Sequence, residues 1–297
     1  MNVLQFDNVQ RAYEQGTNVL DGPTFAVEPG EVVGLLGRNG AGKTTLIRIA
    51  MGMLEAQHGS ARVFGLDPRV DALEVKRRVG YVSEDQILPH FLRVGKVIEL
   101  HRALYPNWDD SIAGDLVERF QLPLKAKLKT LSKGQARQVA LLCAVSHRPE
   151  LLILDEPAGG LDPASRREVL ETSIRLLNEA GSTILFSSHH MTDVERMAHR
   201  VVMLHGGRLL LDRDLDSLRE EHCLALVPDD AGVSADRLAG AENCIGMRRR
   251  HDALHAVFRL DPPTCSSYLA SEFALTDARC TTVGLEEMFI ELTGGDS

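Results

Sequence analysis

Three observations predict an α/β fold with a largely parallel sheet, followed by a small α+β domain. Short apolar runs suited to buried strands recur between stretches of helical periodicity, the alternation that builds parallel sheets flanked by helices. A glycine-rich turn stands between the first such run and the first such helix. Charge then changes along the chain: residues 1–215 hold 26 Lys+Arg against 27 Asp+Glu, whereas residues 216–297 hold 7 against 15. The chain is therefore read as one domain over 1–215 and a second over 216–297.

Taken in order, EVVGLLG (31–37) is β-branched and apolar, as a buried strand requires, and KTTLIRIAMGML (43–54) follows with helical spacing. Residues 90–130 are rich in helical patterns, VGKVIELHRALY and DDSIAGDLVERF, broken at Pro106 and Pro123. LSKGQARQVALLCAVSH reads as a helix capped by Ser132 and ended by Arg148-Pro149. LLILDE (151–156) is a second buried strand, and a helix over about 164–180 leads to a strand at STILFSS (182–188). RVVMLHGGRLLLD (200–212) carries a hairpin signal at Gly206-Gly207. Beyond 215, CLALVP, ALHAVFRL and ARCTTV read as strands, TCSSYLASEF and LEEMFIEL as helices.

Composition excludes several classes. A hydrophobic content of 44% with 25% charged residues is ordinary for a soluble globular protein. No apolar run approaches the ~18 residues of a membrane span, and the N-terminus, MNVLQFDNVQRAYEQ, is too polar for a signal peptide. The acidic balance gives no reason to expect nucleic acid as a partner. Five widely spaced cysteines, Cys143, Cys223, Cys244, Cys265 and Cys280, contain no C-x-x-C pair. They predict neither a disulfide framework nor a zinc site, which fits the reducing cytoplasm.

The chemistry begins at Gly37-Arg38-Asn39-Gly40-Ala41-Gly42-Lys43-Thr44-Thr45, a complete G-x-x-x-x-G-K-[ST] run between a strand and a helix. Its glycines let backbone N–H groups converge on phosphate oxygens, and the helix N-terminus adds a favourable field for an anion. Lys43 is expected to reach the β- and γ-phosphates and Thr44 to ligate Mg²⁺. The bland alternative, a glycine-rich turn with a chance lysine, does not account for the strand before it and the helix after it. Asp155 and Glu156 end the apolar strand LLILDE at the edge where such sheets bind ligands. Adjacent strand residues point to different sides, so Asp155 can serve the metal while Glu156 polarises water. Together these features predict a Mg²⁺-dependent nucleoside triphosphatase, and no N-K-x-D run is present to read guanine.

LSKGQ (131–135), followed by a helix and LLILDEP, resembles the ATP-binding-cassette (ABC) family, whose signature LSGGQ lies just upstream of an Asp-Glu strand. The resemblance covers about residues 3–212. It implies a P-loop NTPase cassette: a mostly parallel core sheet, an antiparallel β part and a helical subdomain at about 85–148. It also implies roles for further residues. Tyr13 would stack on adenine, and Ser132 with the backbone near Gly134 would bind the γ-phosphate held by another subunit. The loop Gly159-Gly160-Leu161-Asp162 would touch that subunit, and His189, after Ser187-Ser188, would contact the γ-phosphate. The neighbouring His190 is assigned to the surface. Two positions depart from the family. Glu84 stands where the family has a glutamine that bridges Mg²⁺ and the membrane subunit, with Gln86 two residues on, and Lys133 replaces the first signature glycine.

The resemblance implies an ATP-hydrolysing subunit of a membrane transporter, working as a dimer with a second copy or a related cassette and with separate transmembrane permease subunits. It would sit peripherally on the cytoplasmic face of the cell membrane. A soluble factor of translation or DNA repair is the alternative; such factors fuse two cassettes or insert a long coiled coil, and this chain does neither. The ending VGLEEMFIELTGG resembles exporter-type ATPases for drugs and antibiotics. For 216–297 the expectation is an accessory domain that aids dimerisation, with Met247-Arg248-Arg249-Arg250-His251 in an exposed hairpin. Leu88-Pro89-His90-Phe91-Leu92 is apolar enough to dock the permease, or equally to be core.

Overall fold

A computed structural model of the chain describes residues 1–13, 16, 18–84, 88–157, 171–172, 181–229, 231–250 and 252–293. These divide into two compact units, Met1–Asp212 and Arg213–Ser297. The helix expected over 164–180 and the loop Gly159–Asp162 fall outside the described residues, apart from 171–172, which are helical. Gln86 is outside them as well.

The first unit is built on two sheets. β1 (Leu4–Ala12) pairs antiparallel with β2 (Asn18–Asp21), β3 (Phe25–Val27) and β5 (His58–Val63). The second sheet has the order β10-β9-β4-β8-β7-β6, formed by β4 (Val32–Leu36), β6 (Val79–Val82), β7 (Leu151–Leu154), β8 (Thr183–Ser188), β9 (Arg200–His205) and β10 (Arg208–Asp214). From β6 through β7, β8 and β4 to β9 the pairing is parallel. Every residue of β4, β7 and β8 is buried, which explains why these strands read as continuous apolar runs rather than as alternation. Helix α1 (Lys43–Ala50) inserts Leu46, Ile47 and Ile49 into a core shared with Leu4, Phe6, Leu35, Ile153 and Leu185.

The parallel register decides where the site lies. Leu36 pairs with Ser188, Leu154 with Phe186, and Val82 with Leu154. The segments after β4, β6, β7 and β8 therefore leave the sheet side by side at its carboxyl edge, where ligands bind in α/β sheets.

The helical part comprises α3 (Val94–Leu104), α4 (Asp110–Arg119) and α5 (Lys133–Val145), and α2 (Ala72–Arg78) precedes it. Asp109 caps α4, accepting from the backbone N–H of Ser111 at 2.8 Å and of Ile112 at 3.3 Å. Hydrogen bonds from the Ser111 hydroxyl and the Arg148 guanidinium hold its carboxyl well below the usual carboxylate range. Within 88–92, His90 and Phe91 are exposed and Leu88, Pro89 and Leu92 half-buried, so this apolar stretch is an outward face and not core. The buried residues of the region, Val94 and Val97, begin with α3.

The second unit carries an antiparallel sheet ordered β12-β13-β11-β14: β11 (Cys223–Pro228), β12 (Cys244–Arg250), β13 (Ala253–Phe258) and β14 (Arg279–Thr282). Helices Pro262–Phe273 and Leu285–Leu292 match the expected ones. The exposed hairpin expected at 247–251 corresponds to β12 pairing antiparallel with β13, His251 lying outside the described residues. Its arginines interrupt the apolar pattern and hide where the strand begins. The fold accommodates them with acidic partners: Arg248 lies 3.3 Å from Glu291 and Arg249 3.4 Å from Asp229.

Candidate active site

The phosphate loop leaves β4 at buried Gly37 and turns into α1 through Gly40 and Gly42, both with positive φ. Gly42, the N-cap of α1, has φ 100°, and a Cβ there would stand 2.7 Å from the Val19 carbonyl oxygen. Only glycine combines that backbone conformation with so close an approach. Arg38, Asn39 and Gly40 are exposed at the tip, whereas Ala41, Lys43 and Thr45 are buried beneath it. Residues 39–45, with Val19, Glu84 and Glu156, line a cavity of about 290 Å³.

Lys43 reaches back inside the loop. Its Nζ donates to the Gly37 carbonyl at 2.7 Å and the Arg38 carbonyl at 3.3 Å, and stands 3.1 Å from Glu156 Oε1. Thr44 Oγ1 donates to Asp155 Oδ1 at 3.1 Å. Tyr13, nearly half exposed, places its hydroxyl 3.4 Å from Thr45 Oγ1 with its ring beside the Arg11 guanidinium. The expected adenine platform thus flanks the loop.

Asp155 and Glu156 diverge at the end of β7. Ser187, fully buried in β8, links them: its hydroxyl donates to Asp155 Oδ1 at 2.8 Å and accepts from the Glu156 N–H at 2.8 Å. Glu156 is held at φ 47°, a left-handed conformation uncommon for residues other than glycine. That turn aims its carboxylate at Lys43 on one side and at His189 on the other, with His189 Nδ1 2.9 Å from Glu156 Oε2. Backbone strain sustained by surrounding contacts is a feature that accumulates at functional sites.

The donor set suits a hard divalent cation. Asp155 Oδ2 is buried and lacks a hydrogen-bond partner, next to the Thr44 hydroxyl. Burial pushes the Asp155 carboxyl above its ordinary value, opposed by hydrogen bonds from Ser187 and Thr44, and the charges of Glu84 and Glu156 raise it further. A bound cation would reverse that balance, and carboxylate and hydroxyl oxygens are the ligands that Mg²⁺ prefers.

Glu84, two residues beyond β6, is exposed and lines both this cavity and a larger neighbour. The neighbour, about 560 Å³, is bordered by Asn39, Ser132, Lys133, Arg137, Glu156 and His189, among others. Ser132 caps α5 in a reciprocal arrangement: Gln135 N–H donates to Ser132 Oγ at 3.1 Å, and Ser132 N–H donates to Gln135 Oε1 at 3.2 Å. Ser132 and Lys133 are nevertheless exposed, and Gly134 is half-buried. Lys133, as the first helical residue, fits the helix without a glycine and extends to solvent.

Two residues at the site carry no signal in the motifs. Ser187 precedes the histidine by two positions, but its bridging of Asp155 and Glu156 depends on β8 lying beside β7. Arg137, buried on α5, donates to the Glu84 carbonyl at 3.1 Å and so ties the signature helix to the segment after β6. Burial lowers the Arg137 pKa, opposed by the charges of Glu84 and Glu156. His190, assigned to the surface by sequence, is half-buried, its ring centroid 3.9 Å from that of His189. The turn after β8 folds the two rings together, and Ser188 Oγ accepts from the His190 N–H at 2.9 Å. Asp162 lies outside the described residues.

With this geometry in hand, comparison with known proteins is decisive. The family model described as "ABC transporter" matches residues 20–159, from β2 through the Asp-Glu strand. The ABC transporter ATP-binding protein YtrB of Bacillus subtilis is 30% identical over 94% of this chain and 94% of its own length. The chain belongs to the ABC transporter ATP-binding proteins. The daunorubicin/doxorubicin resistance ATP-binding protein DrrA of Streptomyces peucetius is 32% identical over 94% of this chain and 89% of its own. A solved ATP-binding subunit of an ABC transporter superposes with a TM-score of 0.66 at 30% identity, covering 73% of this chain and 92% of that one. The protein is accordingly an ATP-binding and ATP-hydrolysing ABC subunit, and a role in translation or DNA repair is not favoured. Among the described residues no helix is long and apolar enough to cross a membrane.

Proposed function

We propose that this ABC ATPase energises export through a separate membrane permease, and that two cassettes close around ATP to do so. The observation that carries this reading is the pairing of a loaded catalytic edge, Lys43–Glu156–His189, with an exposed Ser132 that lines the same cleft as Glu156 and His189. Ser132 at a helix N-terminus offers donors and positive partial charge to a phosphate. In the proposed dimer that phosphate is the γ-phosphate held by the other chain's loop, with Gly134 and Asp162 also meeting the partner.

The proposed division of labour follows the geometry. The phosphate loop, Gly37 to Thr45, cradles the phosphates, and Lys43 exchanges the Gly37 and Arg38 carbonyls for phosphate oxygens. Tyr13 stacks on adenine. Thr44, Asp155 and Glu84 hold Mg²⁺, which when bound neutralises charge on the β- and γ-phosphates. Glu156 accepts a proton from the attacking water, and His189 orients the carboxylate and contacts the γ-phosphate. Ser187 positions both carboxylates at once.

Export is supported by the similarity to a drug-resistance ATP-binding protein over 94% of the chain, which takes in the C-terminal unit. The proposed permease dock is the cleft of about 310 Å³ lined by Met51, Met53, Tyr81, Leu88 and Tyr105, near exposed Phe91 and Leu104. Docking there would hold the chain against the cytoplasmic face of the membrane. The C-terminal unit is proposed to aid dimerisation. The test is transport in sealed inside-out vesicles carrying the chain and its permease: ATP-dependent accumulation supports export, and ATP-dependent release contradicts it.

A further inference from the structure

Three of the five cysteines meet inside the C-terminal unit. Cys223 begins β11, Cys265 lies on the Pro262–Phe273 helix and Cys280 sits in β14. Their Sγ atoms all lie within 4.8 Å of one another, and all three are free thiols. No spacing in the sequence announces this. β11 turns Cys223, Ala225 and Val227 inward, β14 pairs Cys280 with Ala225, and the helix crosses both strands with Cys265 facing them. Cys223 and Cys265 are fully buried, whereas Cys280, on the edge strand, is half-buried and leaves a route in.

We infer that this cluster is a binding site for a trivalent metalloid hydroxide of the arsenite class, captured by three thiols. Ligand number comes first. Among the described residues no histidine, carboxylate or fourth cysteine joins the group. Structural zinc takes four protein ligands, so three sulfurs leave it incomplete, whereas a three-coordinate thiophilic centre is satisfied. A pyramidal three-coordinate centre with bonds to sulfur of about 2.3 Å and bond angles near about 100° holds its sulfurs about 3.5 Å apart. The thiols, within 4.8 Å of one another, therefore draw together by up to about 1.3 Å.

Charge selects among thiophilic ions. Three thiolates on a monovalent or divalent ion leave net negative charge among Ala225, Leu269, Phe258 and Leu275, and burial penalises it. The surrounding unit deepens the penalty, since residues 216–297 already hold 15 acidic against 7 basic side chains. A trivalent centre leaves the complex neutral. The exchange also balances without redox chemistry: three As–O bonds and three S–H bonds break, three As–S bonds form, and three waters leave. Each hydroxide departs with a thiol proton, so no thiolate has to persist in the apolar pocket. The product cross-links β11, β14 and the helix between them, which stabilises the unit by mass action.

The test is native mass spectrometry of the reduced full-length chain with one equivalent of sodium arsenite, with melting temperature followed in parallel. The expected result is a gain of one arsenic less three hydrogens per chain and a raised melting temperature. Cys280→Ala should weaken arsenite binding by at least about a hundredfold and convert any residual adduct to a form that retains one hydroxyl. A Cys143→Ala/Cys244→Ala variant should bind as the parent does. Absence of an adduct in the parent chain overturns the inference. So does a parent adduct that retains a hydroxyl, an adduct unchanged in Cys280→Ala, or complete displacement of arsenic by equimolar zinc or monovalent copper.

Discussion

His189 Nδ1 stands 2.9 Å from Glu156 Oε2, while the other oxygen of the same carboxylate lies 3.1 Å from Lys43 Nζ. One carboxylate thus joins the phosphate loop, the end of β7 and the end of β8 in a site where Lys43 and Glu156 are almost wholly buried. An arriving γ-phosphate competes for Lys43 and leaves Glu156 with His189, the arrangement that a general base with a positioning partner requires.

His189→Ala should therefore slow hydrolysis about a hundredfold, the scale of losing a preorganised polar group from a reacting centre, with a much smaller change in KM. Steady-state ATPase assays over a range of ATP concentrations give both quantities. A change confined to KM would assign His189 to binding alone.

Lys43→Ala should abolish triphosphate binding in equilibrium titrations with a fluorescent ATP analogue. It should also lower stability by about 3 kcal/mol in urea, because Glu156 is left buried without its cation. Unchanged ATP affinity would remove Lys43 from its assigned role.

Ser187→Ala removes one hydroxyl that serves two buried groups, the Asp155 carboxylate and the Glu156 N–H. The expected cost is about 2 kcal/mol in stability, together with a reduced kcat from two misplaced carboxylates. Chemical denaturation and ATPase assays on one preparation check both. An unaltered kcat at the expected loss of stability would reduce Ser187 to a structural part.

Asp155 gives a pH dependence whose sign is fixed by its burial. Because its folded pKa is raised above 3.8, ionised Asp155 is a cost to the metal-free fold at neutral pH, and the cost fades as pH falls from above the raised value towards 3.8. Mg²⁺ favours the ionised form, so its stabilising shift in melting temperature should be larger near neutrality than at about pH 5. Asp155→Asn should flatten the difference. For Glu84→Gln the expected outcome is a changed preference between Mg²⁺ and Mn²⁺ in the ATPase assay; identical metal dependences would detach Glu84 from the metal.

Much of the first unit is legible in the sequence because its signals are local. β4 and β7 are buried on both faces and read as unbroken apolar runs, the glycines of 37–42 mark the phosphate loop, and Ser132 marks a helix cap. To these the structure adds the left-handed Gly42 and the reciprocal bond from Gln135. What the sequence conceals is relational. Ser187 matters because β8 adjoins β7, Arg137 because α5 passes the segment after β6, and the cysteine cluster because a helix crosses β11 and β14. The hairpin at 247–250 is legible, but the extent of β12 is not: Arg248 and Arg249 meet Glu291 and Asp229, residues distant in the chain, so the strand's own pattern lacks alternation.

The most direct test of the two-cassette mechanism is multi-angle light scattering of Glu156→Gln with ATP and Mg²⁺. This substitution leaves the carboxylate's place filled but removes the base, so ATP binds and persists. The account predicts a dimer with ATP, a monomer without it, and hydrolysis lowered by about a thousandfold or more. A monomer that holds ATP under these conditions would contradict it.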